Sequence, residues 1–345
     1  MDNPDDLKRW EGKLPPQLLK QLVLEVVSRK DPRVLVGPSI GEDAAIIDFG
    51  DRVLVVHSDP ITGAVKNIGW YAVHVACNDI ATRGARPRWL LPVVLLPIGE
   101  VEAAKQVAKD IRRAADEVGA VVVGGHTEFT PGLNRPIVSM TAIGEAPKNG
   151  YVTTSMCRPG DKVILTKGVA IEGTAIIAAE LEHELKGRIP QETLESAKSF
   201  TRYLSVVKDA LTAVEAGGVH AMHDPTEGGV AGGLQELAIA SQLGIIAYEE
   251  KMIIRKETQI LLSTVGADPL KTISSGSLLI AVEPNAAPKI VEKLNQVGIP
   301  ASIIGEIIED PEKRYIVRKD GSKMSLHGYI ADDLWKTLSQ HLSQK

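Results

Sequence analysis

Cysteine and long apolar runs are both scarce in this chain of 345 residues. The only cysteines are Cys77 and Cys157, which excludes a disulfide framework and favours a reducing compartment. The longest apolar run, Trp89–Ile98, contains two prolines and is too short to span a bilayer. The N-terminus is acidic and polar, unlike a signal peptide. We therefore expect a cytoplasmic protein with no membrane partner.

The chain also lacks the features of several functional classes. Its formal net charge is -5 and it has no long run of lysine and arginine, so we expect no nucleic-acid partner. There is no GxSxG elbow, no CxxC pair and no Walker A loop, which disfavours a serine nucleophile, a zinc site and a P-loop. Cys77 falls in an apolar helical pattern, which is typical of a packing role.

Helix and strand patterns alternate along the chain in two mixed halves. Ala44–Asp48 and Val53–Ser58 form a predicted hairpin, and Ile68–Thr82 and Val101–Val118 have helical spacing. The proline- and glycine-containing segment Ala146–Asp161 is the predicted linker. These patterns predict an α+β fold with domains at 1–148 and 160–345.

Four aspartates occur where strands end or loops turn, or within an apolar helix. They are Asp43, Asp59, Asp79 and Asp224. Asp79 lies inside the apolar helical pattern, where a carboxylate is costly unless a metal ion, a lysine or an arginine pairs with it. Magnesium prefers such oxygen ligands and shares them with nucleotide phosphates. Taken singly, each acid also fits a turn, a helix cap or a solvent-facing position.

Two glycine pairs fit either a phosphate-binding loop or an ordinary turn. Gly124-Gly125 follows a predicted strand and precedes His126, and Gly228-Gly229 opens a predicted helix. Glycine lets backbone N–H groups approach a phosphate, and a helix N-terminus favours an anion. A lone glycine pair is more often a turn, and His126 is more often an ordinary loop histidine.

The order of these motifs gives them specificity. The chain carries GEDAA from Gly41, Ser58-Asp59, NDIA from Asn78, GARP from Gly84, GGHT from Gly124 and HDPTEGGV from His223. This series, between about Lys13 and Asp310, resembles the aminoimidazole ribonucleotide synthetase (PurM)-like superfamily, and HDPTEGGV is most similar to its HypE branch. The resemblance implies a PurM-like fold, in which an N-terminal α/β domain forms a barrel in a homodimer, followed by a C-terminal α+β domain.

The resemblance also implies ATP and Mg²⁺ as cofactors. The implied metal ligands are Asp43, Asp59, Asp79 and Asp224. The implied nucleotide-binding residues are Lys13, Gly41, Glu42, Asp59, Gly124, Gly125, His126 and Thr127. His223 and Glu227 are candidate proton acceptors, with a turn-forming role as the alternative.

Two departures bear on the acceptor substrate. No cysteine follows Cys157, whereas HypE proteins end in a cysteine that carries the carbamoyl group. No cysteine precedes Cys77, whereas selenophosphate synthetases keep a reactive residue near the N-terminus. We expect an enzyme that phosphorylates an oxygen, such as that of an amide or carbamoyl group, on a small-molecule or protein-borne acceptor. The alternatives are a kinase similar to thiamine-monophosphate kinase, an accessory protein that binds ATP without turnover, and a structural dimer with solvated acids.

Overall fold

The structure is a computed structural model that describes residues 16–27, 29–39, 42–62 and 66–342. Lys13 and Gly41, both predicted to bind the nucleotide, lie outside these residues. A helical segment opens the described chain. It consists of Pro16–Leu19, Lys20–Leu24 and Glu25–Val27.

The first half of the chain forms one mixed sheet of order β1-β2-β3-β7-β4-β5, with β6 also paired to β4. Its strands are β1 (Val34–Val36), β2 (Ala45–Phe49), β3 (Arg52–Ile61), β4 (Arg86–Leu96), β5 (Val121–Val122), β6 (His126–Phe129) and β7 (Ile137–Pro147). The predicted hairpin is confirmed, because β2 and β3 pair antiparallel around Gly50-Asp51. β7 pairs antiparallel with both β3 and β4.

Two helices, α1 (Ile68–Thr82) and α2 (Val101–Val118), pack on this half, and both have the predicted bounds. α1 packs on β3 and β7, and α2 packs on α1. All residues of α1 are buried, and Asp79 is among them. Gly119 ends α2 with a φ of 74°, a left-handed conformation that glycine adopts without strain.

The second half has a sheet of order β14-β13-β10-β12-β8-β11-β9. Its strands are β8 (Lys162–Thr166), β9 (Val219–His223), β10 (Gly244–Tyr248), β11 (Leu279–Val282), β12 (Ala301–Ile308), β13 (Arg314–Val317) and β14 (Lys323–Ser325). Its helices are α3 (Ile171–Glu180), α4 (Glu182–Leu185), α5 (Gln191–Lys198), α6 (Val207–Ala216), α7 (Gly229–Ala240), α8 (Lys256–Val265), α9 (Ala287–Gln296) and α10 (Asp333–Leu342).

The α+β class is therefore confirmed. Helix α5 is followed directly by a 3₁₀ segment, Ser199–Tyr203. Helices α8 and α10 were not predicted. Between β7 and β8 the chain forms a short 3₁₀ turn at Thr154–Met156, and the division into domains at 1–148 and 160–345 stays a prediction.

One hydrophobic cluster joins the two halves. Val73 and Ile80 of α1 share it with Ala210 of α6 and Ile280 of β11. Asn78, also in α1, donates to the carbonyl of Leu204 at 2.8 Å and accepts from the amide of Val206 at 2.8 Å. Helix α1 thereby contacts both the first sheet and the second half of the chain.

Candidate active site

A cavity of about 520 Å³ lies where α1 and the β2–β3 hairpin meet the end of β9 and the start of α7. The described residues of its walls include eight carboxylates, two histidines and no lysine or arginine, and we call it the acidic cavity. The carboxylates are Glu42, Asp43, Asp59, Asp79, Asp224, Glu227, Glu236 and Asp332. The four aspartates predicted as metal ligands thus line one cavity, although they are far apart in sequence.

Three of the lining residues form the tightest cluster. Asp43, His223 and Asp224 each offer a ligand-type atom, and these atoms lie within 4.8 Å of one another. Asp43 stands just before β2, while His223 ends β9 and Asp224 follows it. The cluster therefore needs both halves of the chain.

His223 is engaged at both ring nitrogens. Its Nδ1 lies 2.8 Å from Oδ1 of Asp43, and its Nε2 lies 2.6 Å from Oε2 of Glu236. Burial by itself would lower the pKa of His223, but the carboxylates of Asp43 and Glu236 raise it well above its usual value. A protonated imidazole has no lone pair for a metal or a proton, so His223 orients Asp43 rather than acting as a base.

Arg83 holds the other side of Asp43, and the sequence analysis missed it. This fully buried guanidinium donates to Asp43 at 2.6 Å and to Glu42 at 2.5 Å. It also donates to the Thr154 hydroxyl and the Met222 carbonyl, each at 2.9 Å. Burial would raise the pKa of Asp43, but His223 and Arg83 hold it below its usual value. Asp43 is therefore an oriented carboxylate at neutral pH.

Glu42 was predicted to bind the nucleotide, and its contacts favour a supporting role. One oxygen accepts from Arg83, and the other accepts from the Ser155 hydroxyl at 2.8 Å. These contacts tie the loop before β2 to the segment that links the two sheets.

Asp79 and Asp59 line the cavity outside the three-residue cluster. Asp79 lies 3.1 Å from Nε2 of His57, and its side chain is 11% exposed. A metal ion, a lysine or an arginine was the predicted partner of Asp79, whereas the structure places a histidine of β3 there. Asp59 follows on the same strand.

The predicted nucleotide-binding loop lies elsewhere. Gly124, Gly125, His126 and Thr127 are exposed around the start of β6 and are not among the residues that line the acidic cavity. The His126 ring lies 3.1 Å from Glu128. At Gly125, a Cβ would lie 2.2 Å from the Pro92 carbonyl oxygen, so close packing accounts for this glycine.

The C-terminal segment supplies a wall that the sequence analysis also missed. Tyr329, Ile330 and Asp332 line the cavity. Asp332 accepts from the amide of Gly228 at 2.7 Å and from the amide of Leu334 at 2.7 Å, which caps the start of α10. It therefore holds the turn that carries Glu227, the second predicted proton acceptor. Burial raises the pKa of Asp332 to about 7.

Family models match the chain in both halves. The model described as AIR synthase related protein, N-terminal domain, matches residues 41–146, and that of the C-terminal domain matches residues 158–318. The chain belongs to the family of AIR synthase related proteins. The predicted PurM-like resemblance is thereby confirmed.

Curated relatives point to the HypE branch. A provisionally named hydrogenase expression/formation protein of Methanocaldococcus jannaschii is 28% identical over 302 residues, covering 85% of this chain and 88% of the relative. Carbamoyl dehydratase HypE of Rhizobium leguminosarum bv. viciae is 29% identical over 251 residues, covering 71% and 69%. The prediction of an enzyme is confirmed by relatives of this kind.

Solved structures share the fold over nearly the whole chain. The crystal structure of a HypE–HypF complex matches with a TM-score of 0.76 and 25% identity, covering 90% of this chain and 99% of the other. A HypE structure in complex with ATP matches with a TM-score of 0.69 and 21% identity, covering 91% and 94%. Within the described residues, no helix combines the length and apolar character needed to cross a membrane.

Proposed function

We propose that this protein is a magnesium-dependent, ATP-using enzyme that phosphorylates an oxygen of an amide or carbamoyl group. The observation that carries the proposal is the meeting of Asp43 and Asp224, from the two halves of the chain, beside His223 in one cavity. The relative named carbamoyl dehydratase HypE and the HypE structure in complex with ATP support the choice of reaction and cofactor.

The donor set fits magnesium rather than a metal that prefers nitrogen ligands. Both nitrogens of His223 are engaged by carboxylates, so the remaining donors are the oxygens of Asp43, Asp59, Asp79 and Asp224. Magnesium takes oxygen ligands and keeps part of its coordination for water and phosphate. Bound at these carboxylates, it would neutralise the charge of the ATP phosphates during transfer.

The chain's own residues supply positioning and proton handling. Arg83 and His223 fix Asp43 from two sides, so the carboxylate needs no rearrangement when it binds a cation. Glu227, held by the turn that Asp332 supports, is the proposed proton acceptor for the substrate. Phosphoryl transfer needs no protein nucleophile. Both cysteines are buried, and burial raises the pKa of each thiol.

The test is ADP formation by the purified protein with ATP, magnesium and a panel of amides, carbamoyl compounds and phosphorylated vitamins. We expect turnover that requires magnesium and an amide or carbamoyl acceptor. Asp224→Asn should abolish it, whereas Asp51→Asn, an exposed change in the β2–β3 turn, should not. Turnover with phosphorylated vitamins alone would favour a small-molecule kinase. If Asp224→Asn turned over at the wild-type rate, the acidic cavity would not be the active site.

We also propose a homodimer through the first sheet. On β4 the inner residues Leu90 and Val94 are buried, while Trp89 and Val93 on the other face are each 38% exposed. Val121 of the neighbouring β5 is 61% exposed. Such an apolar sheet face is typical of an interface. Light scattering should give a dimer for the wild type and a monomer for Val93→Glu, and a wild-type monomer at micromolar concentration would contradict the proposal.

A further inference from the structure

A second cavity, of about 650 Å³, lies between the two halves and shares no lining residue with the acidic cavity within the described chain. Its walls come from the start of β4, the end of α2, the segment leading into α6 and the loop before β12. We call it the basic cavity. The cationic residues that line it are Arg86, Lys167, Arg202, Lys208 and Arg255.

The charges in this cavity do not balance. Against the five cations stand three carboxylates, those of Glu117, Asp209 and Glu215, which leaves an excess of two positive charges. Asp209 is already 3.2 Å from Nζ of Lys167. Within the described part of the chain, Arg86, Arg202 and Arg255 have no carboxylate within 4.0 Å. Three guanidinium groups thus line one cavity without forming a close ion pair among these described residues.

Two of the basic side chains, those of Lys167 and Arg255, are fixed by contacts within the protein. The Lys167 side chain is 7% exposed, and its Nζ donates to the Ser205 carbonyl at 2.5 Å. Its backbone has a φ of 59°, a conformation that costs energy for a residue with a side chain and persists only where the surroundings fix it. The Arg255 guanidinium lies 4.6 Å from the ring centre of Tyr203 and donates to the Lys167 carbonyl at 3.2 Å. These contacts hold Lys167 and Arg255 in place before any ligand arrives, whereas Arg86, Arg202 and Lys208 are exposed.

We propose that the basic cavity binds a small phosphate monoester. One guanidinium group can donate two parallel hydrogen bonds to the oxygens of a phosphate. A phosphate monoester carries a charge of about -1.5 to -2 at neutral pH, which is close in size to the excess of two positive charges. A cavity of this volume falls in the range of small-molecule sites. The first residues of α6, Val207 and Lys208, also line it, and the N-terminus of a helix adds partial positive charge toward an anion.

The test is isothermal titration of the full chain with glucose 6-phosphate in EDTA, with glucose as the neutral control. Without a metal, the eight carboxylates of the acidic cavity disfavour an anion there, so binding reports the basic cavity. We expect saturable binding of glucose 6-phosphate and none of glucose. The double substitution Arg86→Gln with Arg202→Gln should weaken binding at least about tenfold, because charge-assisted hydrogen bonds are lost.

Two control variants test whether the phosphate binds in the basic cavity rather than at the exposed surface or in the acidic cavity. Arg135→Gln with Arg158→Gln removes two exposed arginines outside the basic cavity and should leave the affinity unchanged. Asp224→Asn should also leave it unchanged. The proposal is overturned if glucose 6-phosphate does not bind saturably, if the cavity variant binds like the wild type, or if either control variant alters the affinity. None of these outcomes depends on ATP turnover, so they are independent of the proposed function.

Discussion

Asp43→Asn keeps the shape of a side chain that contacts two cations and removes its charge. Oδ1 of Asp43 lies 2.8 Å from His223, and Oδ2 accepts from Arg83 at 2.6 Å. Removing one partner of a buried ion pair costs about 3–5 kcal/mol. Each cation keeps a second carboxylate, Glu236 or Glu42, so we expect the lower end, about 3 kcal/mol. With an unfolding entropy of about 2.1 cal/mol/K per residue, a chain of 345 residues that unfolds as one unit shifts by about 1.4 °C per kcal/mol. The Tm should therefore fall by roughly 4 °C.

The pH dependence of this loss follows from the two pKa shifts. The folded-state pKa of Asp43 is below its usual 3.8, so its stabilisation is present above that value and is lost as pH falls through the folded-state pKa. The pKa of His223 is raised above its usual 6.5, so its stabilisation is full below that value and is lost as pH rises through the folded-state pKa. The cost of Asp43→Asn should therefore be largest between these two usual values.

The assay is urea unfolding of the metal-free protein at several pH values, together with magnesium-dependent ADP formation. Asp43→Asn should lose both stability and turnover. Asp51→Asn, in the exposed turn after β2, should lose neither. If Asp43→Asn unfolds at the wild-type urea concentration, the ion pairs with Arg83 and His223 do not stabilise the fold. If it also retains turnover, Asp43 is not in the active site.

Three further predictions concern single residues. Arg83→Met should cost about 3–5 kcal/mol in urea unfolding, because it leaves two buried carboxylates without their guanidinium; a near-wild-type stability would contradict this. Gly125→Ala should lower the Tm, since its Cβ would meet the Pro92 carbonyl oxygen at 2.2 Å, whereas Gly124→Ala meets only a Leu91 methyl at 3.7 Å and should be milder. Burial raises the pKa of Asp332 from 3.8 to about 7, so the folded protein should lose stability as pH rises between these values. Asp332→Asn should flatten that slope, and an unchanged slope would refute the assignment.

Local sequence patterns were sufficient to predict the helices that have strong apolar periodicity and clear end signals. Helices α1 and α2 have the predicted bounds because apolar residues recur at helical spacing and a glycine follows each. Helix α10 carries a mixed polar sequence and depends on its packing: Leu334 and Leu338 fill a cluster with α3 and α8. Such tertiary packing is not visible in a local window.

The candidate site depended on the resemblance more than on spacing. Nothing in linear sequence brings Asp43 to Asp224, since their meeting requires the packing of two separate sheets. Arg83 was missed because it stands between two recognised motifs. An arginine that directly follows an apolar helix needs a partner when it is buried, and the acidic motifs offer one, so this ion pair could have been predicted. The GGHT loop was assigned from its glycine pair and from the family pattern, whereas the structure gives Gly125 a packing reason.

Glu172, near the start of α3, is a buried acid that the fold tolerates at a cost. It is 7% exposed, and its Oε2 has no hydrogen-bond partner among the described residues. Burial raises its pKa from 4.5 to about 7, and the charges of Asp332, Asp59 and Asp224 add to the effect. At 1.36 kcal/mol per pKa unit, ionised Glu172 destabilises the fold by about 3 kcal/mol. This penalty is absent below the usual pKa and complete above the raised one.

Glu172→Gln should therefore stabilise the metal-free protein at alkaline pH, by up to about 3 kcal/mol, and leave it unchanged in acid. Glu180→Gln, at the exposed end of the same helix, is the matched control and should leave the stability unchanged at both alkaline and acid pH. Three of the charges that act on Glu172 belong to the acidic cavity. Magnesium bound there would offset their repulsion, so adding it should shrink the stabilising effect in urea unfolding. An effect of equal size with and without magnesium would mean that no cation binds near Asp59 and Asp224, which would count against the proposed metal site as well.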